Sequence, residues 1–385
     1  MSKAPRIALV AGEPSGDLLA ARLIAALKEK LPEARCFGIG GPKMVAEGFD
    51  AWWPAEKLAV LGFVDALKRY REIFAIRRAL QARLLTAREK PDLFIGVDAP
   101  DFNLGLEINL RARGIRTIHF VSPSIWAWRG KRIHKIAKAA DRVLALFPME
   151  PPLYERAGIP VTYVGHPLAD EIPLVTDPKK IRRQLRLPEY YSPIFALLPG
   201  SRESELKYLG GIFVETAKRI YAEMPNALFL VPLTTRETKL AFEMEIYRRK
   251  ATLLPWRLMF GHAEIAIGAA DAVLVKSGTA TLETMLIKRP MVIVYKHATL
   301  NFYFAKWRSY VPYVGLPNIL AGRFIVPELL QFAAKPQAIA RALMAETAPE
   351  RMEELQEEFT RIHLLLRQNT AEKAVEATLE ELWQA

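Results

Sequence analysis

The sequence predicts an α/β protein made of two Rossmann-like halves. Three observations lead there. Short, near-continuous apolar segments alternate with amphipathic helical ones; a proline-rich, basic stretch interrupts the alternation; and the same alternation then restarts. The 385 residues match two domains at roughly 150 residues each.

In chain order, strands are expected at Arg6–Ala11, Leu93–Val97, Thr117–Val121, Val143–Phe147 and Thr162–Val164, with helical periods at Leu18–Lys30 and Phe63–Arg88 between them. The break carries Pro173, Pro178, Pro188 and Pro193 with Lys179, Lys180, Arg182 and Arg183, and reads as an interdomain hinge. Strands resume at Ile194–Leu198, Leu228–Val231, Ala272–Val275 and Met291–Val294. From Pro327 the tail reads as mostly helical, with Asn369-Thr370 capping a last helix through Trp383. The resulting division is a first domain over 1–170, a hinge over 171–193, a second domain over 194–345 and C-terminal helices over 346–385.

Composition narrows the function. Lys and Arg number 54 against 42 Asp and Glu, a net charge of +12 that suits nucleic acid, an anionic membrane surface or a phosphorylated substrate. No concentrated basic helix or aromatic-basic motif accompanies it, so nucleic acid is not the expected partner. The single cysteine, Cys36, excludes a disulfide framework, a zinc ribbon and an internal redox pair. The six histidines form no His-x-x-x-His pair, so no metal site and no cofactor are expected. The apolar run Ile7–Gly12 is too short for a signal-peptide core, and Asp271 cuts the longest apolar stretch; a cytoplasmic location is expected.

In open α/β sheets ligands sit beyond the carboxyl ends of the strands, so the polar loops there are the candidates. The first, Gly12-Glu13-Pro14-Ser15-Gly16-Asp17, combines glycines that allow close backbone approach with a helix start. Ser15 or Asp17 as a plain N-cap is the alternative. After the next strand, Asp98 stands where a general base belongs, whereas Asp101 and Asn103 also suit caps of the following helix. Ser122-Pro123-Ser124-Ile125-Trp126-Ala127-Trp128 offers hydroxyls and two indoles for a sugar face or acyl chains; packed tryptophans are the other reading.

In the second half, Gly200-Ser201-Arg202 joins a turn, a hydroxyl and a guanidinium at a helix start, the ingredients for a diphosphate. Ser277-Gly278-Thr279 repeats the arrangement, with Glu283 a turn further on able to accept from ribose hydroxyls or simply to stabilise the helix start. One segment stands apart: Phe63, Val64, Leu67, Tyr70 and Phe74 recur at helical spacing, flanked by Lys68, Arg69 and Arg71. Such a stripe suits a headgroup region or burial in the core.

Taken together, Gly-Glu-x-Ser-Gly-Asp, Asp98-Ala99-Pro100-Asp101-Phe102-Asn103, Ser122 to Trp128, Gly165-His166-Pro167, Leu198 to Arg202, Ser277 to Glu283, Leu316-Pro317-Asn318 and Pro327 to Gln331 closely resemble the lipid-A-disaccharide synthase family, in order along nearly the whole chain. Ala20 departs from a glycine expected in the family's first helix.

The resemblance implies a GT-B glycosyltransferase with two parallel sheets facing a central cleft, and C-terminal helices crossing back onto the N-terminal domain of the same or a partner chain. It implies UDP-2,3-diacylglucosamine as donor, 2,3-diacylglucosamine 1-phosphate as acceptor, no metal, a homodimer, and peripheral attachment to the inner membrane's cytoplasmic face, where anionic lipids would meet the basic stripe. Asp98 is assigned as base with Glu13 and Ser15 beside it, and Asp101, Asn103, Ser124, Trp126 and Trp128 are placed at the acceptor. Gly200, Ser201, Arg202, Ser277, Gly278, Thr279 and Glu283 are assigned to the nucleotide, and Asn318, Glu328 and Gln331 join them by resemblance alone. An N-acetylglucosaminyltransferase or a UDP-sugar epimerase of the same architecture is the competing reading, and a basic nucleic-acid binder a more distant one.

Overall fold

In the computed structural model, which describes residues 4–58, 66–296 and 310–383, every strand pairing is parallel. Parallel neighbours need a crossover, and helices supply the crossovers between most neighbouring strands. One sheet runs β3-β2-β1-β4-β5-β6-β7, the other β10-β9-β8-β11-β12-β13. The first comprises β1 (Arg6–Ala11), β2 (Arg35–Gly40), β3 (Asp50–Pro54), β4 (Leu93–Val97), β5 (Arg116–Phe120), β6 (Arg142–Ala145) and β7 (Val161–Tyr163). The second comprises β8 (Ile194–Leu198), β9 (Leu228–Leu233), β10 (Trp256–Phe260), β11 (Ala272–Lys276), β12 (Met291–Tyr295) and β13 (Glu328–Leu330).

Burial on both faces explains why the central strands read as unbroken apolar runs. Along β1, Ile7, Leu9 and Ala11 enter one core while Ala8 and Val10 enter another on the opposite face. Sequence pattern finds these strands and misses four others. β2 carries two glycines; at Gly38 the backbone turns to φ +136, where a Cβ would collide with the Leu9 carbonyl. β3 follows it at a register shift. β10 is a partly exposed edge strand, and β13 has only three residues, so the tail from Pro327 opens with a strand where helix was expected.

The chain forms two compact units, residues 1–170 with 366–385, and 171–365. Residues 171–193, expected as a hinge, are instead built into the second unit. Asp177 caps the helix Pro178–Gln184, whose Arg182 donates to the Ala269 carbonyl at 2.8 Å and to Asp271 at 2.7 Å. Asp271 in turn accepts from the Ile194 N–H at 2.7 Å, fixing the start of β8.

The C-terminal helices also divide differently from expectation. Residues 349–365 of the helix Pro349–Leu366 stay with the second unit; Leu355, Phe359 and Ile362 are buried and Arg351 donates to the Ile325 carbonyl. Only Thr370–Trp383 rejoins the first unit, where Ala374, Val375, Ala377 and Leu382 complete the core beside β1. Its cap comes from far along the chain: the Asp170 carboxylate accepts from Asn369 N–H at 2.9 Å and Thr370 N–H at 2.8 Å.

Asp170→Ala leaves those two N–H groups without their acceptor and should lower stability by about 1–2 kcal/mol. Amide exchange in 370–383 should accelerate more than in the first unit's strands; uniform acceleration, or none, would contradict this capping role.

Candidate active site

The first sheet reverses strand order between β1 and β4, the second between β8 and β11. At such switch points adjacent loops diverge to opposite faces and leave a crevice. The loops carrying most of the motifs end these four strands.

After β1, Pro14 begins the helix Pro14–Lys30 with Glu13 and Ser15 exposed, and no side chain caps it. Asp17 caps a different helix: buried, it accepts from the N–H groups of Gly41, Lys43 and Met44 at 2.9 to 3.1 Å, at the start of Pro42–Ala46. The loop after β4 touches this one, since a Cβ on Gly12 would lie 3.5 Å from that of Ala99.

Asp98 and Ala99 occupy the left-handed region, at φ 52 and 42. Such a conformation costs roughly 1–2 kcal/mol per non-glycine residue and persists only where the surroundings impose it. Asn103 imposes it. Completely buried, its amide donates to the Asp98 carbonyl at 2.8 Å, while its N–H and that of Phe102 bond the Ala99 carbonyl. Asn103 is therefore a buttress beneath Asp98 and not the acceptor contact expected of it. The Asp98 carboxylate is half-buried and, among the described residues, accepts no hydrogen bond.

Asp101 points to solvent and pairs with Arg132 at 2.6 Å. Behind the loop lies a pair that sequence reading did not single out: Glu107 and His119, both wholly buried, with Oε1 and Nδ1 2.8 Å apart. Gly96 makes room for it, since a Cβ there would overlap Glu107.

After β5, Val121 adopts φ 78, a strained conformation for a β-branched residue. It leads into Ser124, exposed, Trp126, half-buried, and Trp128, which is 41% exposed with the Arg129 guanidinium 4.1 Å from its ring. Ser122 bonds Tyr154 at 2.6 Å.

Deeper still, the Glu150 carboxylate accepts from the N–H groups of Leu146 and Phe147 at 3.0 Å. The Trp126 indole approaches the same carboxyl without reaching hydrogen-bond geometry. Burial pushes Glu150 up to about 8 against these donors. Burial, aided by Arg22 and opposed by Asp170, pushes His166 down to about 4.

In the second unit Gly200 sits at φ 125 after β8, with Ser201 and Arg202 exposed ahead of the helix Glu203–Glu223. The Ser201 N–H is already taken, by the Glu205 carboxylate at 3.0 Å. Ser277, Gly278 and exposed Thr279 open the helix Thr279–Leu286, which has no side-chain cap. One turn on, Glu283 is half-buried and raised by that burial and then by Glu264; its carboxylate has no hydrogen-bond partner among the described residues.

Asn318 and Glu328 are engaged with their own loop. Asn318 is fully buried and fully committed: its amide donates to the Val326 carbonyl and Glu328, and its oxygen accepts from Ile325 and Val326 N–H groups. Glu328 accepts from the Val314 and Gly315 N–H groups at 2.9 and 2.8 Å. Both shape the 314–328 loop. Gln331 differs, with φ 50 and a buried Nε2 that lacks a partner among the described residues.

Of the basic apolar stripe, Phe63 and Val64 lie outside the described residues, as do the side chains of Leu67, Lys68, Arg69 and Tyr70. Within the helix Ala66–Leu84, Arg71 and Phe74 are exposed, while Ile76, Leu80 and Leu84 are core residues. Among the described residues no helix is long and apolar enough to cross a membrane, and no cluster of three His, Cys, Asp or Glu could hold a metal.

The model of the family described as lipid-A-disaccharide synthetase matches residues 7–381. The chain belongs to that family. A lipid-A-disaccharide synthase of Dechloromonas aromatica is 64% identical over 382 residues, 99% of each chain, and one of Azoarcus is 56% identical over 381, covering 98% of this chain and 96% of that one. Membership of the lipid-A-disaccharide synthetase family makes the protein a glycosyltransferase.

The fold is that of GT-B glycosyltransferases. A calicheamicin glycosyltransferase aligns with TM-score 0.65 at 14% identity over 99% of both chains. UDP-GlcNAc 2-epimerase from Neisseria meningitidis aligns with TM-score 0.60 at 12% identity over 99% of this chain and 100% of that one. At such identities the likeness concerns the fold alone.

Two of the shifted groups, Glu150 and His166, set a pH dependence. Glu150 titrates near 8 folded and 4.5 unfolded, so the folded state holds the extra proton and stability falls as pH rises through that window. His166, near 4 folded and 6.5 unfolded, gives the opposite slope, confined to pH below its unfolded value. Between pH 6.5 and 8 the Glu150 slope is left unopposed by His166. Urea unfolding should show wild type losing about 2 kcal/mol there relative to Glu150→Gln; parallel profiles would refute this.

Proposed function

We propose that the chain transfers 2,3-diacylglucosamine from its UDP donor to the 6-hydroxyl of 2,3-diacylglucosamine 1-phosphate, forming the β-1′,6-linked lipid A disaccharide 1-phosphate and UDP. The observation that carries the mechanism is Asp98, a carboxylate without a hydrogen-bond partner among the described residues, held on a strained turn at a switch point.

Inversion at the anomeric carbon requires attack opposite the departing UDP, with one base to take the hydroxyl proton. Asp98 takes it as the new C–O bond forms and the bond to the diphosphate breaks. Asn103 positions Asp98 through the backbone. Glu13 and Ser15, exposed on the touching loop, hold the acceptor or the base, and Ser124, Trp126, Trp128 and Asp101 line the acceptor side.

Charge builds on the diphosphate as UDP leaves. In the second unit the Gly200–Ser201 turn, Arg202 and the Ser277–Thr279 helix start answer it. Glu283 and the Gln331 amide, without partners among the described residues, are free to accept from ribose hydroxyls and to donate to the nucleotide respectively. Asn318 and Glu328 shape the loop that carries them.

Both substrates carry acyl chains, which supports a bilayer-surface location on the cytoplasmic side of the inner membrane, with the Phe63 to Phe74 stripe in the headgroups. A homodimer belongs to the same reading.

Purified protein given both acylated substrates should yield the disaccharide 1-phosphate by mass spectrometry. Asp98→Asn should lower kcat by about a thousandfold while UDP affinity stays within about twofold; near-normal turnover would remove Asp98 from the mechanism. Separately, Val64→Ser with Leu67→Ser should reduce cosedimentation with anionic vesicles and leave the melting temperature in place. Unchanged cosedimentation would refute the membrane role.

A further inference from the structure

The loops after β8 and β11 are joined by an ion pair that neither motif reveals. Lys276, the last residue of β11, places Nζ 2.8 Å from Glu205 Oε1, while Glu205 Oε2 accepts from the Ser201 N–H at 3.0 Å. Both side chains are mostly enclosed, 24% and 18% exposed. The ammonium lies beside the second turn as well: a Cβ on Gly278 would be 3.6 Å from it. At the first turn, a Cβ on Gly200 would run into the Glu205 carboxylate. The carboxylate therefore fills the mouth of the Gly200 turn, and the ammonium bridges the two turns.

This arrangement poses an electrostatic problem for the nucleotide reading, on which the inference rests. A diphosphate entering these turns meets a carboxylate already bonded to the first N–H it needs. Burial opposes ionisation of Glu205, but Lys276 and the N–H groups of Ser201 and Arg202 outweigh it and hold the carboxyl below its ordinary value. An anion thus already occupies the place, with a cation and an amide as its partners.

We propose that Glu205 is a resident stand-in for the donor diphosphate, and that substrate displaces it and takes over both Lys276 and the Ser201 N–H. Lys276 is then a nucleotide-binding residue, and Glu205 an internal competitor that keeps the ammonium and the turn in place until a diphosphate arrives. The geometry carries two consequences. A nucleoside monophosphate, which lacks the second phosphate, gains less from Lys276 than a diphosphate does. The ammonium also interacts more strongly as the leaving group gains charge, so its loss affects kcat as well as KM.

The test is calorimetric titration of wild type, Lys276→Met, Lys276→Arg and Glu205→Gln with UDP and UMP, alongside steady-state kinetics. Lys276→Met should weaken UDP binding by about tenfold or more and UMP by about threefold or less. Lys276→Arg should restore much of the loss, which separates a lost charge from a damaged fold. Glu205→Gln should bind UDP more tightly than wild type, because the competitor has lost its charge. Equal UDP affinity in Lys276→Met and wild type would overturn the proposal, as would weaker UDP binding in Glu205→Gln. If wild type binds no UDP, the underlying nucleotide reading fails, and the stand-in with it.

Discussion

Parallel pairing is the constraint from which the rest follows. No pair of neighbouring parallel strands can be joined by a tight hairpin, so each connection crosses the sheet and every strand's carboxyl end opens on the same edge. Where strand order reverses, at β1/β4 and β8/β11, successive crossovers leave to opposite faces and the backbone must turn sharply without a neighbour to cover it. Positive φ at Asp98 and Ala99 after β4 and at Gly200 after β8 is the local form of that demand. Glycine meets it without strain. Aspartate and alanine meet it only because Asn103, locked in the core, holds the carbonyl of one residue by its amide and that of the other by its backbone N–H.

The two units answer the same constraint with different chemistry. In the first, the turn presents a carboxylate without a partner among the described residues, and behind it lie the buried polar groups of Asn103, Glu107 and His119. In the second, the turns present N–H groups and cations, with Glu205 and Lys276 balancing each other between them. A proton acceptor and an anion receptor are the two functions that glycosyl transfer with a diphosphate leaving group requires.

How far this was legible depended on range. The central strands β1, β4 and β8 were readable because burial on both faces writes an unbroken apolar run. β2 and β13 were not, one being loosened by glycines and the other held by context. Asp98 was legible as a carboxylate at a strand end. Asn103, Asn318 and Glu328 stand in motifs as prominent as those of the site, yet the Asn103 Nδ2, Asn318 and Glu328 hold mainly backbone groups, a distinction that only three-dimensional partners reveal. Asp170 capping a helix that begins at Thr370, and Lys276 meeting Glu205, join residues too far apart for any local pattern to register. Of the Phe63 to Phe74 stripe, Phe74 faces solvent, while Ile76, Leu80 and Leu84 further along the same helix lie in the core.

In the proposed mechanism the nucleotide is received by the second unit's switch point and the proton by the first's. Amide hydrogen exchange with and without UDP reads this directly. UDP alone should slow exchange in residues 198–206 and 276–283 and leave 97–103 unchanged. Protection confined to 97–103, with 198–206 and 276–283 unaffected, would contradict it.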